Sequence, residues 1–222
     1  MNTGKTVFTQ LMTMLPEYEF DKCVARYKRF YRVRNFSCRD HFNVMSFAQL
    51  TLRESLWDIE NCLTAFSSKL YHCGIKHTDP RNTLAKANEL WDWQIYADFA
   101  QVLIGMARPL YQDDKDFHLD IDNLVYAFDR TSISLRLTLC PWATFREHKG
   151  DAIYSQIWIA ICICLLIAIA KKRMCIEQSL YTFSQTLGLT LFERMLINVI
   201  VSKTATERIS DVHPMLFSYS DF

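Results

Sequence analysis

Asp129 has the setting that most suggests chemistry in this chain. It follows Leu124-Val125-Tyr126-Ala127-Phe128, an apolar run that reads as a strand buried on both faces, and such strands present ligands at their carboxyl ends. A carboxylate buried there is costly unless it is paired, neutralised or bound to a cation, so Asp129 is a candidate metal ligand. The same pattern fits a strand that simply ends in a turn, with Asp129, Thr131 and Ser132 as capping residues. Cys38 with His41, and Cys62 with His72 and Cys73, are zinc-ligand types, but no Cys-x-x-C pair joins them and a zinc site is not expected. The five Asp between Asp113 and Asp122 lack the central Gly and terminal Glu of a calcium loop and read as a solvated linker.

A second kind of chemistry is electrostatic. Lys22 to Arg39 holds seven Lys or Arg and no acid, although the whole chain carries a formal charge of only +1. Arg26, Lys28, Arg29, Arg32, Arg34 and Arg39 are suited to phosphates, and Tyr27, Tyr31 and Phe36 are interleaved among them. A solvated basic face with its aromatics turned inward has the same pattern. Arg81 and Asn82 follow a short helix and a polar turn, the outline of a helix-turn-helix, and their side chains suit guanine and adenine edges. Many all-helical domains contain such a corner.

The elements that must hold these residues are mostly helical. Half of the 222 residues are hydrophobic, while five Gly and five Pro interrupt them. The spacing predicts a helix over Thr6 to Leu15, a second over Glu17 to Arg34 and a third over Cys38 to Leu52 with Ser37 as N-cap. Ser55 to Leu70 follows. A long helix then runs from Leu84 to Tyr111, with Asn82 or Thr83 as its cap. Ala152 to Ala170 has no charged side chain and is closed by Lys171, Lys172 and Arg173, which suits either a membrane span or a helix buried in a larger core. Leu180 to Val201 returns to ordinary helical spacing, and the end reads as a loose tail. Eight scattered cysteines without paired spacing or a secretory signal imply a reducing, cytoplasmic setting.

Longer stretches carry a resemblance. MNTGKTVFTQLM at the start, SFAQLTLRESLWDIENCL at Ser46 to Leu63, IYADFAQVLI at Ile95 to Ile104 and VYAFDRTSISL at Val125 to Leu135 resemble bacterial insertion-sequence transposases of the DDE type, in the insertion-sequence-four family. PWATFREHKG, SQIWIA at Ser155 to Ala160, Lys171-Lys172-Arg173, SLYTFSQTL and TLFER are similar to later parts of the same family. The resemblance implies a helical amino-terminal domain binding double-stranded DNA at the element's ends, and a ribonuclease-H-like core that cuts and joins strands with Mg2+ or Mn2+. Asp129 then matches the first catalytic Asp and metal ligand. The second Asp and the catalytic Glu have no counterpart, Glu193 does not match the missing one, and Arg130 replaces a small hydroxyl residue. Two-metal phosphoryl transfer needs several converging carboxylates, and magnesium binds weakly to one alone. Asp129 is thus a member of an incomplete triad, and no tightly held metal is expected.

The expected architecture is mainly α. A helical DNA-binding domain occupies 1–112, a linker and the first strands of a ribonuclease-H-like α/β stub 113–150, carboxyl-terminal helices 151–201 and a tail 202–222. The expected function is binding of insertion-sequence DNA ends by an internally deleted, catalytically inactive transposase. Arg26, Lys28, Arg29, Arg32, Arg34, Arg39, Arg81 and Asn82 are the DNA-contacting residues. A homodimer, or a heterodimer with a full-length transposase, is the expected protein partnership. The alternative is a small membrane protein anchored by Ala152 to Ala170.

Overall fold

The apolar periodicity folds into helices that share one core. The structure, a computed structural model, describes residues 4–27, 36–53, 55–75, 80–112 and 150–202. Asp129 and the strand expected before it, the Asp-rich stretch, Lys28, Arg29, Arg32, Arg34 and residues 203–222 lie outside the described residues. The described part is mostly helical, and no strand occurs among the described residues.

Helix α1 (Val7–Met12) is capped by Thr6, whose side chain accepts from the Thr9 backbone N–H. α2 (Glu17–Arg26) begins after Pro16, and Tyr27 closes it, so its described length is shorter than the run to Arg34 read from spacing. α3 (Cys38–Leu50) opens on a capping box in which Ser37 and Asp40 satisfy each other's backbone N–H. It closes with Leu52 in the left-handed region at φ 54°, while the Arg53 N–H reaches back to the Ala48 carbonyl at 3.0 Å. α4 (Leu56–Ala65) and α5 (Ser67–Leu70) follow, then a 3-10 turn (Tyr71–Cys73).

The long helix expected from Leu84 to Tyr111 is two helices, α6 (Arg81–Leu90) and α7 (Trp93–Tyr111). The break has a local cause. Trp91 turns extended at ψ 130° as its ring is buried, and the Asp92 side chain then caps α7 by accepting from the Gln94 N–H. α6 starts after Pro80 with no side-chain cap, so neither Asn82 nor Thr83 plays the capping role expected of it. α7 runs through Gly105 and holds Pro109 in its last turn. α8 (Gly150–Arg173) and α9 (Leu180–Thr190) complete the named helices, and residues 197–202 are again helical.

α8 is the centre of the body. Ile161, Cys162, Ile163, Leu165, Leu166, Ile167, Ile169 and Ala170 are all buried and cover about two thirds of the helix circumference, while the stripe Ile157, Ala160, Cys164 and Ala168 is half-buried. Its main neighbour is α7, and α3, α6, α9 and α1 surround it. By length and composition the segment Ile153–Arg173, of mean hydropathy 2.4, would also suffice to cross a membrane. Here one broad side of it packs against protein.

α7 and α8 run in the same direction. Trp93, at the start of α7, lies against Tyr154 near the start of α8 with ring centroids 5.3 Å apart. At the other end the Tyr111 hydroxyl donates to the Ala168 carbonyl at 3.0 Å, and the Lys172 ammonium sits 4.8 Å from the Tyr111 ring.

Around this pair, Phe20, Phe42 and Phe99 join α2, α3 and α7 at centroid distances of 5.0–5.8 Å. The first helix also meets the segment that follows α9. The Val7 and Phe8 N–H groups, which no helical carbonyl can satisfy, donate to the carbonyls of Glu193 and Leu191 at 3.0 and 3.2 Å. Gln10 donates to the Met195 carbonyl at 2.7 Å. α9 crosses the end of α3 so closely that a Cβ on Gly188 would lie 2.6 Å from the Leu50 carbonyl oxygen.

Candidate nucleic-acid interface

Of the residues expected to contact DNA, Arg26 and Arg39 from the phosphate set and Arg81 and Asn82 from the base-reading pair are described. Arg26 ends α2, where the helix dipole favours a cation, and its guanidinium is paired with Asp98 of α7. The Tyr27 hydroxyl donates to the same carboxylate at 2.9 Å. Burial first and this carboxylate second raise the Tyr27 phenol, while hydrogen bonding to Asp98 raises Arg26 further. Arg39, in the first turn of α3, is 2.5 Å from Glu17, in the first turn of α2. These are surface pairs, of little worth individually, and phosphate can compete for such cations.

Two of the interleaved aromatics, Tyr27 and Phe36, are not free for base stacking. Phe36 is buried with its ring edge-on to His41 at 6.2 Å, and Tyr27 is tied to Asp98. For these two the inward-turned arrangement holds; Tyr31 lies outside the described residues.

Arg81 and Asn82 form the exposed first turn of α6. Neither side chain has a partner among the described residues, and Lys86, one turn on, is exposed as well. The inner face of α6 carries Leu84, Ala87 and Asn88, all buried. The two ends of the expected surface therefore differ: the arginines near α2 face carboxylates, and the first turn of α6 does not.

Behind α6 lies a polar network that spacing alone did not reveal. The Asn88 side-chain oxygen is 2.8 Å from His41 Nε2, and the Tyr96 hydroxyl is 2.7 Å from His41 Nδ1. An amide oxygen can only accept, so Nε2 carries the proton; Nδ1 of the neutral ring then accepts from Tyr96. The Tyr96 oxygen in turn lies 3.4 Å from the Cys38 thiol. Burial lowers His41 to about 4 and raises Cys38 to about 12, so both stay uncharged at neutral pH. The one sequence signal was the close spacing of Cys38 and His41 on an apolar helix. Their partners come from α6 and α7, far away in the chain, and complete a hydrogen-bonded core.

Among the described residues no three His, Cys, Asp or Glu side chains converge to hold a metal ion. The cysteines described, Cys23, Cys38, Cys62, Cys73, Cys162, Cys164 and Cys175, are free thiols. With Asp129 outside the described residues, no described ligand set fits the divalent ion that the resemblance implies.

A family model, domain of unknown function DUF4372, matches residues 3–76, so that domain is present, and it is found in transposase-like proteins. The matched stretch ends before α6, and its core is completed by α7, α8 and α9. No curated protein and no solved structure matches the chain.

Proposed function

We propose that this chain is an internally deleted transposase of the DDE type that binds double-stranded insertion-sequence DNA ends and neither cuts nor joins them. The observation that carries the reading is the DUF4372 domain at residues 3–76, of a kind found in transposase-like proteins, with an acid-free basic stretch inside it. Arg26, Lys28, Arg29, Arg32, Arg34 and Arg39 contact phosphates. Asp129 is the surviving first ligand at the end of the first strand of a truncated ribonuclease-H-like sheet. With no second Asp and no Glu, Mg2+ or Mn2+ is not held for reaction. The protein acts in the cytoplasm as a homodimer or joined to a full-length transposase, occupying ends that the active enzyme would use.

A second observation supports the deletion. Ser155 Oγ and Gln156 Oε1 are buried at the start of α8, immediately after the change of character at Gly150, and neither has a hydrogen-bond partner among the described residues. Buried unpaired polar atoms cost about 1–3 kcal/mol each, which is what remains when a helix keeps polar residues whose partners were lost.

The test measures binding of the full chain to a labelled mixed-sequence duplex by fluorescence anisotropy across salt concentrations. Affinity should fall linearly on logarithmic axes with a slope set by several phosphates. Binding absent at low salt, or insensitive to salt, overturns the reading. In a nicking assay with Mg2+ or Mn2+ on supercoiled DNA, neither the wild type nor Asp129→Ala should cut. Cleavage by the wild type that Asp129→Ala abolishes would show a working site.

The membrane reading of Ala152 to Ala170 is favoured only by the length and hydropathy of that helix. Carbonate extraction of expressing cells separates the two: a carbonate-resistant membrane pool would support the span.

A further inference from the structure

We infer that α6 is the helix that reads base sequence, with Arg81, Asn82 and Lys86 entering the major groove. The inference rests on the DNA-binding reading above and adds which element supplies specificity.

Three observations lead to it. First, the rotation of α6 about its axis is set from behind: Leu84 and Ala87 are buried, and Asn88 is held by His41 Nε2–H at 2.8 Å. At 100° per residue, Asn82 and Lys86 then fall on the outward side one turn apart, and both are exposed. Second, Arg81, Asn82 and Lys86 have no partner among the described residues, whereas Arg26 and Arg39 are occupied by Asp98 and Glu17. Third, the chemistry matches base edges. Arg and Lys donate to guanine O6 and N7, and Asn pairs with adenine N6 and N7. A helix about 10–12 Å across fits a major groove about 12 Å wide. α4 packs on α6 as the supporting helix of such a pair would.

This divides the labour. The basic stretch from Arg26 to Arg39 supplies affinity that any duplex satisfies, while α6 supplies discrimination. α6 begins at Arg81, beyond the matched domain that ends at residue 76, so chains sharing that domain can differ in the sequence they read.

The experiment selects duplexes from a randomised library with the full chain, then measures a selected and a scrambled duplex by anisotropy. The wild type should enrich a motif. The triple variant Arg81→Ala/Asn82→Ala/Lys86→Ala changes only exposed side chains and should melt at the wild-type temperature. It should bind the scrambled duplex within about threefold of wild type, allowing for two lost cations, and lose at least about tenfold for the selected one. A variant that enriches the same motif, or a wild type that binds DNA but enriches none, overturns the assignment and leaves DNA binding standing. No binding to any duplex at low salt overturns both.

Discussion

The buried histidine gives the sharpest prediction. His41 is fully buried between Tyr96 and Asn88, and its pKa falls from 6.5 to about 4, with desolvation the largest cause. The sign follows from proton counts. Between these values the unfolded chain binds a proton at His41 and the folded chain does not, so stability rises with pH. It is complete above about 6.5 and is lost as pH falls toward about 4, at about 1.4 kcal/mol per pH unit. Over that window the loss is of the order of 3 kcal/mol, a large share of the ~5–15 kcal/mol typical of a domain. His41→Gln tests the origin. A glutamine amide can donate to Asn88 and accept from Tyr96 but does not titrate. Urea unfolding at pH 7 and pH 4.5 should show wild type losing about 2–3 kcal/mol more than the variant. Equal losses would refute the claim that the histidine is buried neutral.

Two further substitutions probe the packing. Gly188→Ala should destabilise by about 1–3 kcal/mol in thermal melts although alanine is the better helix former, because the new Cβ would meet the Leu50 carbonyl oxygen at 2.6 Å and backbone cannot swing aside. An unchanged or raised melting temperature would place α9 farther from α3. Ser155→Ala combined with Gln156→Leu should stabilise by about 1 kcal/mol per site, since each removes a buried atom without a partner among the described residues. A drop in chemical-denaturation midpoint would mean that these atoms are satisfied in solution.

Much of the fold was legible in local signals. Ser37, a serine just ahead of an apolar helical pattern, is legible as the cap of α3, and the structure adds the reciprocal bond from Asp40 that completes a capping box. The all-round apolar run after Ile157 was ambiguous between lipid and core because periodicity measures sidedness, and a helix with no polar side has none. In the fold its neighbours include α7, α3 and α6, which cover one broad side of it. The break at Trp91 was hidden because the apolar rhythm continues through it; the Asp92 cap and the burial of the Trp91 ring stop the helix there. At the candidate interface the sequence located the cations but not their pairing. Asp98 and Glu17 are distant in the chain from Arg26 and Arg39, and only packing brings them together. The His41 network was illegible for the same reason.

Because α7 and α8 point the same way, no tight turn can join them. The 19 residues of α7 rise about 28 Å, and the connecting chain must recover that distance before α8 can start. Even fully extended, this takes at least about eight residues. Excisions between Tyr111 and Gly150 are thus limited by reach: trimming toward that minimum keeps the bundle closed, and cutting below it pulls the central helix from its seat.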